Sequence, residues 1–182
     1  MRTSGRGAGH RAGGSRARSL RSPRRPSKRA IAVAALDRTS VAVGRGLVAG
    51  VAATAAMTIA STAEMKLRRR APSTAPAKVA GRLLGVKPRK KAGDRFAAIA
   101  HLSAGVSLGA TRGLLDLVGL RGAPAAVAFF WIAWTPDLVV VPAAGAAEPP
   151  WRWGAGELAI SAAHHAVYAA TGERAYRLLQ AP

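Results

Sequence analysis

The stretch GAPAAVAFFWIAWTPDLVVVPAAGAA, residues 122–147, decides how this chain is read. A bilayer core takes about 20 apolar residues as helix, and this stretch has the length, with Asp137 its only charge. Three weaker versions surround it: GLVAGVAATAAMTIASTA (46–63), FAAIAHLSAGVSLGAT (96–111) and LAISAAHHAVYAATG (158–172). The chain nevertheless carries 28 Lys and Arg against 8 Asp and Glu, a formal charge of +20. Those charges fall between the apolar stretches. A soluble amphipathic helix would interleave charge with apolar residues at a 3.6-residue period. The partition therefore predicts an all-α, polytopic membrane protein, with four transmembrane helices in a small bundle. Spans are expected at about 46–65, 96–116, 122–143 and 157–174.

Outside the 46–180 membrane domain, residues 1–45 read as a disordered basic tail. MRTSGRGAGHRAGGSRARSLRSPRRPSKR offers little to bury, and no acid precedes Asp37. Ala30–Leu36 is too short and too Ala-rich for the apolar region of a signal peptide. Between the first two spans, residues 66–95 form a basic loop. Within it, the Pro76–Val86 segment predicts a short amphipathic helix with Pro in its first turn, its basic side resting on lipid headgroups. Tail and loop together point to anionic lipid as a partner. Nucleic acid is the weaker partner, because Arg runs neutralise phosphate but this tail has no aromatic residue to stack on bases. Without Cys, neither a disulfide framework nor a thiolate metal site is available.

Within the spans, small residues recur at every fourth position. Gly46, Gly50, Thr54 and Thr58 line one face of the first span, and Gly105, Gly109 and Gly113 one face of the second. Such faces let two helix backbones approach closely. The first span needs that help. Leu47, Val48, Val51, Met57 and Ile59 supply only about −2 kcal/mol of insertion free energy. Arg112 and Asp116, four apart, are expected to pair near the interface. In the third span Pro136 should kink or end the helix beside Asp137. In the fourth, Ser161, His165, Tyr168 and Gly172 share a face, and His164 points about 100° away from His165.

An ionisable group inside a bilayer costs about 2.5–3.5 kcal/mol or more, so each one is a functional candidate. The candidate intramembrane polar site is Glu64, His101, Asp137, His165 and Tyr168. Glu64 has Arg68 four residues on as a partner. The two His suit interhelical hydrogen bonds or a proton relay, since imidazole titrates near neutrality. No Gly-x-Ser-x-Gly elbow, phosphate-binding Gly-rich loop or zinc-ligand spacing occurs. The expectation is a protein that is not an enzyme and holds no cofactor or metal.

His101-x3-Gly105-x8-Leu114-Leu115 and His165-x3-Ala169-x8-Leu178-Leu179 recur at one constant offset, which predicts two parallel two-helix repeats. At these residues the chain resembles the uncharacterised small actinobacterial membrane proteins loosely related to the YagU-like inner-membrane family. The resemblance runs from Gly46 to Leu179. It rests on Gly46–Met65, Pro72-Ser73 with Pro76-Ala77-Lys78-Val79-Ala80, and His101…Gly105…Gly109…Arg112-Gly113-Leu114-Leu115. It continues through Asp137…Pro142, Pro149-Pro150-Trp151 and His165-Ala166-Val167-Tyr168. Ala104 and Ala169 depart from the pattern, which has an aromatic residue and a Gly there. The resemblance implies a multi-span inner-membrane protein without established chemistry.

These readings predict a multi-pass protein of the bacterial plasma membrane with both termini inside. Its expected role is a non-enzymatic structural or partner subunit, as a homo-oligomer or beside another membrane protein. One alternative is a small permeation or proton-coupled transport unit using His101 and His165. The other is a peripheral, basic nucleic-acid-binding protein.

Overall fold

A computed structural model describes residues 27–86 and 92–181. Among them the fold is all-helical, with elements α1 (Lys28–Arg68), α2 (Ala75–Leu84), α3 (Gly93–Leu117), α4 (Gly122–Leu138), α5 (Val140–Ala143) and α6 (Ala155–Gln180). A 3-10 turn, Pro150–Arg152, precedes α6.

The start of α1 corrects the expected tail. Residues 1–26 lie outside the described residues, but 28–45 are helix, continuous with the first expected span. The reason is local. Ser27 is an N-cap whose hydroxyl accepts from the Ala30 N–H at 3.2 Å, and the Ala-rich run behind it favours helix. The Gly, Ser and Pro of the preceding residues say nothing about that run. At its far end α1 closes in a Schellman motif, with Arg69 N–H bonding to the Lys66 carbonyl and Arg70 N–H to that of Met65. Arg69 takes the left-handed position there, at φ 53°. The same motif with Gly85 (φ 67°) ends α2.

The basic loop is mostly helix too. It contains the end of α1, all of α2 and the start of α3, while residues 87–91 lie outside the described residues. Pro136 does not break α4 where it stands. The helix runs on to Leu138, and after Val139 one more turn, α5, follows. Pro136 lacks an N–H for the Ile132 carbonyl but is close enough to the helix end for the chain to finish its turn.

The four long helices alternate in direction. Gly46 faces Gly109 and Gly113, and Gly50 faces Gly105 and Gly109, so α1 and α3 are antiparallel. Trp134 meets Ser161 and Phe129 meets Gly172, so α4 and α6 are antiparallel. Arg68 at the end of α1 reaches Glu157 at the start of α6. The two hairpins thus lie side by side, joined by α1 against α6 and by Tyr168 of α6, which donates to the Gly105 carbonyl of α3 at 2.6 Å. The short α2 packs on α3.

The core is built from small residues. Ala53, Ala133 and Ala169 surround Phe129 and Tyr168, whose ring centroids are 5.2 Å apart. Large aliphatic residues point outward instead: Val48 is 57 % exposed, Ile59 71 % and Ile99 64 %. Two segments, α1 and Gly122–Ala143, are long and apolar enough to cross a membrane.

Candidate functional site

Close approach of α1 and α3 is set by the absence of Cβ atoms. A Cβ on Gly50 would stand 2.8 Å from the Val106 carbonyl oxygen and 2.9 Å from the Gly109 Cα. One on Gly46 would lie 2.5 Å from the Gly109 carbonyl oxygen. Gly105 faces Thr54, and Gly113 faces the Ala42 carbonyl. Thr54 and Thr58 continue the same face upward. Their hydroxyls donate to the carbonyls of Gly50 and Thr54, each at 2.7 Å, so neither Thr leaves a bare donor in the seam.

Where the seam's small residues end, the polar residues begin. His101 Nε2 lies 3.5 Å from the Thr58 hydroxyl, joining α3 to α1. Across the bundle, His165 Nδ1 lies 2.8 Å from the Ser161 carbonyl one turn earlier in α6. Its Nε2 faces Asp137 Oδ2 of α4 at 3.7 Å. Thus Asp137 of α4 and His165 of α6 face each other, His165 buried and Asp137 half-exposed, while the partner of His101 is Thr58 of α1. Beside them the Trp134 indole N–H donates to the Ser161 hydroxyl at 3.0 Å. Tyr168, one turn below His165, is buried and spends its hydroxyl on Gly105.

Glu64 is elsewhere. It sits at the end of α1, bonded to Arg70 at 2.8 Å and to Arg68 at 3.3 Å. The hydrogen bond that Arg70 donates to the Glu64 carboxylate holds its guanidinium above its ordinary range. His164 lies about 100° around α6 from His165.

The opposite end holds a pair that sequence reasoning missed. Arg112 is fully buried and donates through Nε to Glu173 of α6. Its guanidinium lies 4.2 Å from the centre of the Tyr176 ring, a cation–π distance. The other Glu173 oxygen accepts from the Gly122 N–H at 3.1 Å, placing a carboxylate at the N-terminus of α4. Among the described residues neither Nη of Arg112 has a hydrogen-bond partner. The expected Arg112–Asp116 pair does not form. Asp116 bonds instead to Arg121 at 2.8 Å and to the Gln180 amide at 2.9 Å. A signal existed: Arg112 is seven residues beyond Gly105 and three beyond Gly109, so helical phase puts it on the seam face.

Among the described residues, no three His, Asp or Glu side chains are grouped to hold a metal ion. No protein-family model, curated protein or solved structure matches the chain.

Proposed function

We propose that the chain is a four-span integral protein of the bacterial plasma membrane, with α1, α3, Gly122–Ala143 and α6 as its spans. It acts without catalysis, as a structural or partner subunit. The observation that carries this reading is the inversion of polarity. Ala, Gly, Thr, His and a buried ion pair face inward, while Val, Leu and Ile face outward. A core helix of a soluble protein is mostly covered. Here only 28 % of the most apolar eighteen-residue window of α1 is buried, and 17 % of that in Gly122–Ala143. So much bare aliphatic surface supports a lipid surrounding. α3 and α6 are less apolar, and their pairing with the other two through buried small residues supports their crossing with them.

Basic residues crowd both ends of the bundle, and α2 carries Lys78 and Arg82 exposed beside exposed Leu83 and Leu84. That arrangement suits an interfacial helix on anionic headgroups. The resemblance to YagU-like inner-membrane proteins points the same way. Alkaline extraction of membranes holding the full chain tests the reading. The protein is expected to stay in the pellet, and release as a monodisperse species without detergent overturns it.

One observation favours a second reading, a proton-coupled or permeation unit: Asp137 of α4 faces the buried His165 of α6, and His101 of α3 reaches Thr58 of α1. In proteoliposomes under a pH gradient, this reading expects proton flux that His101→Asn with His165→Asn abolishes while the bundle stays assembled. Flux unchanged by the double substitution removes it.

A further inference from the structure

At the end of the bundle where α1 leads into α2, three of the acids are already engaged. Glu64 holds Arg68 and Arg70, Glu157 holds Arg68, and Glu148 holds Arg152. Among the described residues Lys66, Arg69, Lys78, Arg82 and Arg95 form no ion pair. The acids there without a Lys or Arg partner are Asp94 and Asp137, so cations are in excess.

Two of the unpaired cations stand together. Lys78 and Arg82 are four apart in α2 and share a face, and like charges at that spacing destabilise a helix unless an anion answers them. Arg82 is also located by a second element. Its guanidinium lies on Gly145, just past α5, with Nη1 2.8 Å and Nη2 3.3 Å from where a Cβ on that glycine would stand. Gly145 takes φ 51°. Its N–H and that of Ala146 close the turn on the carbonyls of Pro142 and Val141, at 2.7 and 3.0 Å. A turn without a side chain thus gives the guanidinium its place. Arg82 is exposed and makes no hydrogen bond among the described residues, so its donors are open to an acceptor. Helical phase turns Leu83 and Leu84 away from the two cations, and they are 78 % and 67 % exposed.

We infer that Lys78, Arg82 and the Gly145 turn bind the phosphate of an anionic phospholipid, whose acyl chains lie along Leu83 and Leu84. The inference rests on the membrane reading and deepens it, giving α2 a particular ligand and placing one determinant, Gly145, in a loop far off in sequence. Guanidinium and ammonium groups both answer phosphate. The adjoining leucines call for hydrocarbon, which a lipid carries and free phosphate does not. A zwitterionic lipid brings a cation of its own to an end already rich in them, whereas an anionic lipid brings net negative charge. Arg152 is just as exposed, but Glu148 answers its charge at 3.0 Å.

The full chain, purified in detergent and titrated with phosphatidylglycerol or phosphatidylcholine, tests this by native mass spectrometry. Phosphatidylglycerol is expected to bind the more tightly. Lys78→Gln with Arg82→Gln should weaken it about tenfold, while Arg152→Gln leaves it unchanged. Gly145→Ala keeps every charge but puts a Cβ where the guanidinium lies, and should weaken it too. Thermal midpoints of the same samples separate lost binding from lost folding. Equal binding of the two lipids overturns the site, as do variants at Lys78, Arg82 and Gly145 that are folded and hold phosphatidylglycerol like the unsubstituted chain. Inorganic phosphate binding as tightly as phosphatidylglycerol overturns the lipid as its ligand. Alkaline extraction bears on the membrane reading alone, so a chain that stays in the pellet without lipid preference removes only this site.

Discussion

Gly109 has backbone on two sides: its missing Cβ would run into the Gly46 carbonyl and the Gly50 backbone. Backbone cannot rotate away as a side chain can. Gly109→Ala is therefore expected to cost about 1–3 kcal/mol through overpacking, read as a lower thermal midpoint in detergent. Gly44 is the control, since it lies in the same helix as Gly46 with open space where its Cβ would go. Gly44→Ala should raise the midpoint, worth roughly 0.5–1 kcal/mol of helix propensity. Both moving in the same direction would contradict the seam. Arg112 provides a second test. Removing it strands a mostly buried carboxylate, so Arg112→Leu should cost about 3–5 kcal/mol. Adding Glu173→Leu should recover much of that in a double-mutant cycle of denaturation, because two apolar side chains leave no buried charge. A double variant as unstable as the single one would mean that Glu173 matters chiefly as the cap on Gly122.

At the scale of the element, the end of α1 departs from the usual choice of residue. Arg69 adopts the left-handed conformation that glycine takes freely, and for a residue with a Cβ this costs roughly 1–2 kcal/mol. Arg69→Gly is expected to recover part of that and to slow hydrogen exchange in the last turn of α1. Faster exchange would show that Arg69 contributes through its charge rather than tolerating its backbone. The N-terminal turns of α1 behave differently. At 41 residues and 1.5 Å of rise per residue, α1 is about 60 Å long, twice the thickness of a hydrocarbon core of about 30 Å. Residues 28–41 are exposed throughout, and packing on the bundle begins at Ala42 against Gly113. Their helix rests on Ser27 and alanine propensity, which composition over the whole tail obscures.

For the molecule as a whole, alternating helices put Ser27, Gly119 and Ala181 at one end and Ser73 and Ala147 at the other. The native chain has no Cys, so single substitutions report cleanly. Ser27→Cys, Gly119→Cys and Ala181→Cys should label from one side of the membrane, and Ser73→Cys and Ala147→Cys from the other. Ser27 and Ser73 labelling from the same side would mean α1 does not cross. The excess of basic over acidic residues adds an ionic-strength test. Binding of the chain, held in nanodiscs of uncharged lipid, to anionic vesicles should fall as salt shortens the Debye length, whereas the fraction resisting alkaline extraction should not change with salt.

Sequence by itself determined the separation of charge from apolar residues, the helical periods and the faces on which Gly46, Gly50, His101 and His165 lie. Those follow from composition and from 3.6 residues per turn, which are properties of one helix at a time. Only the tertiary structure decided that Arg112 meets Glu173 rather than Asp116, that Asp137 faces His165, and that Glu64 stays apart at the bundle end. Pairing between helices depends on their rotation and axial offset, and packing of all the helices together sets both.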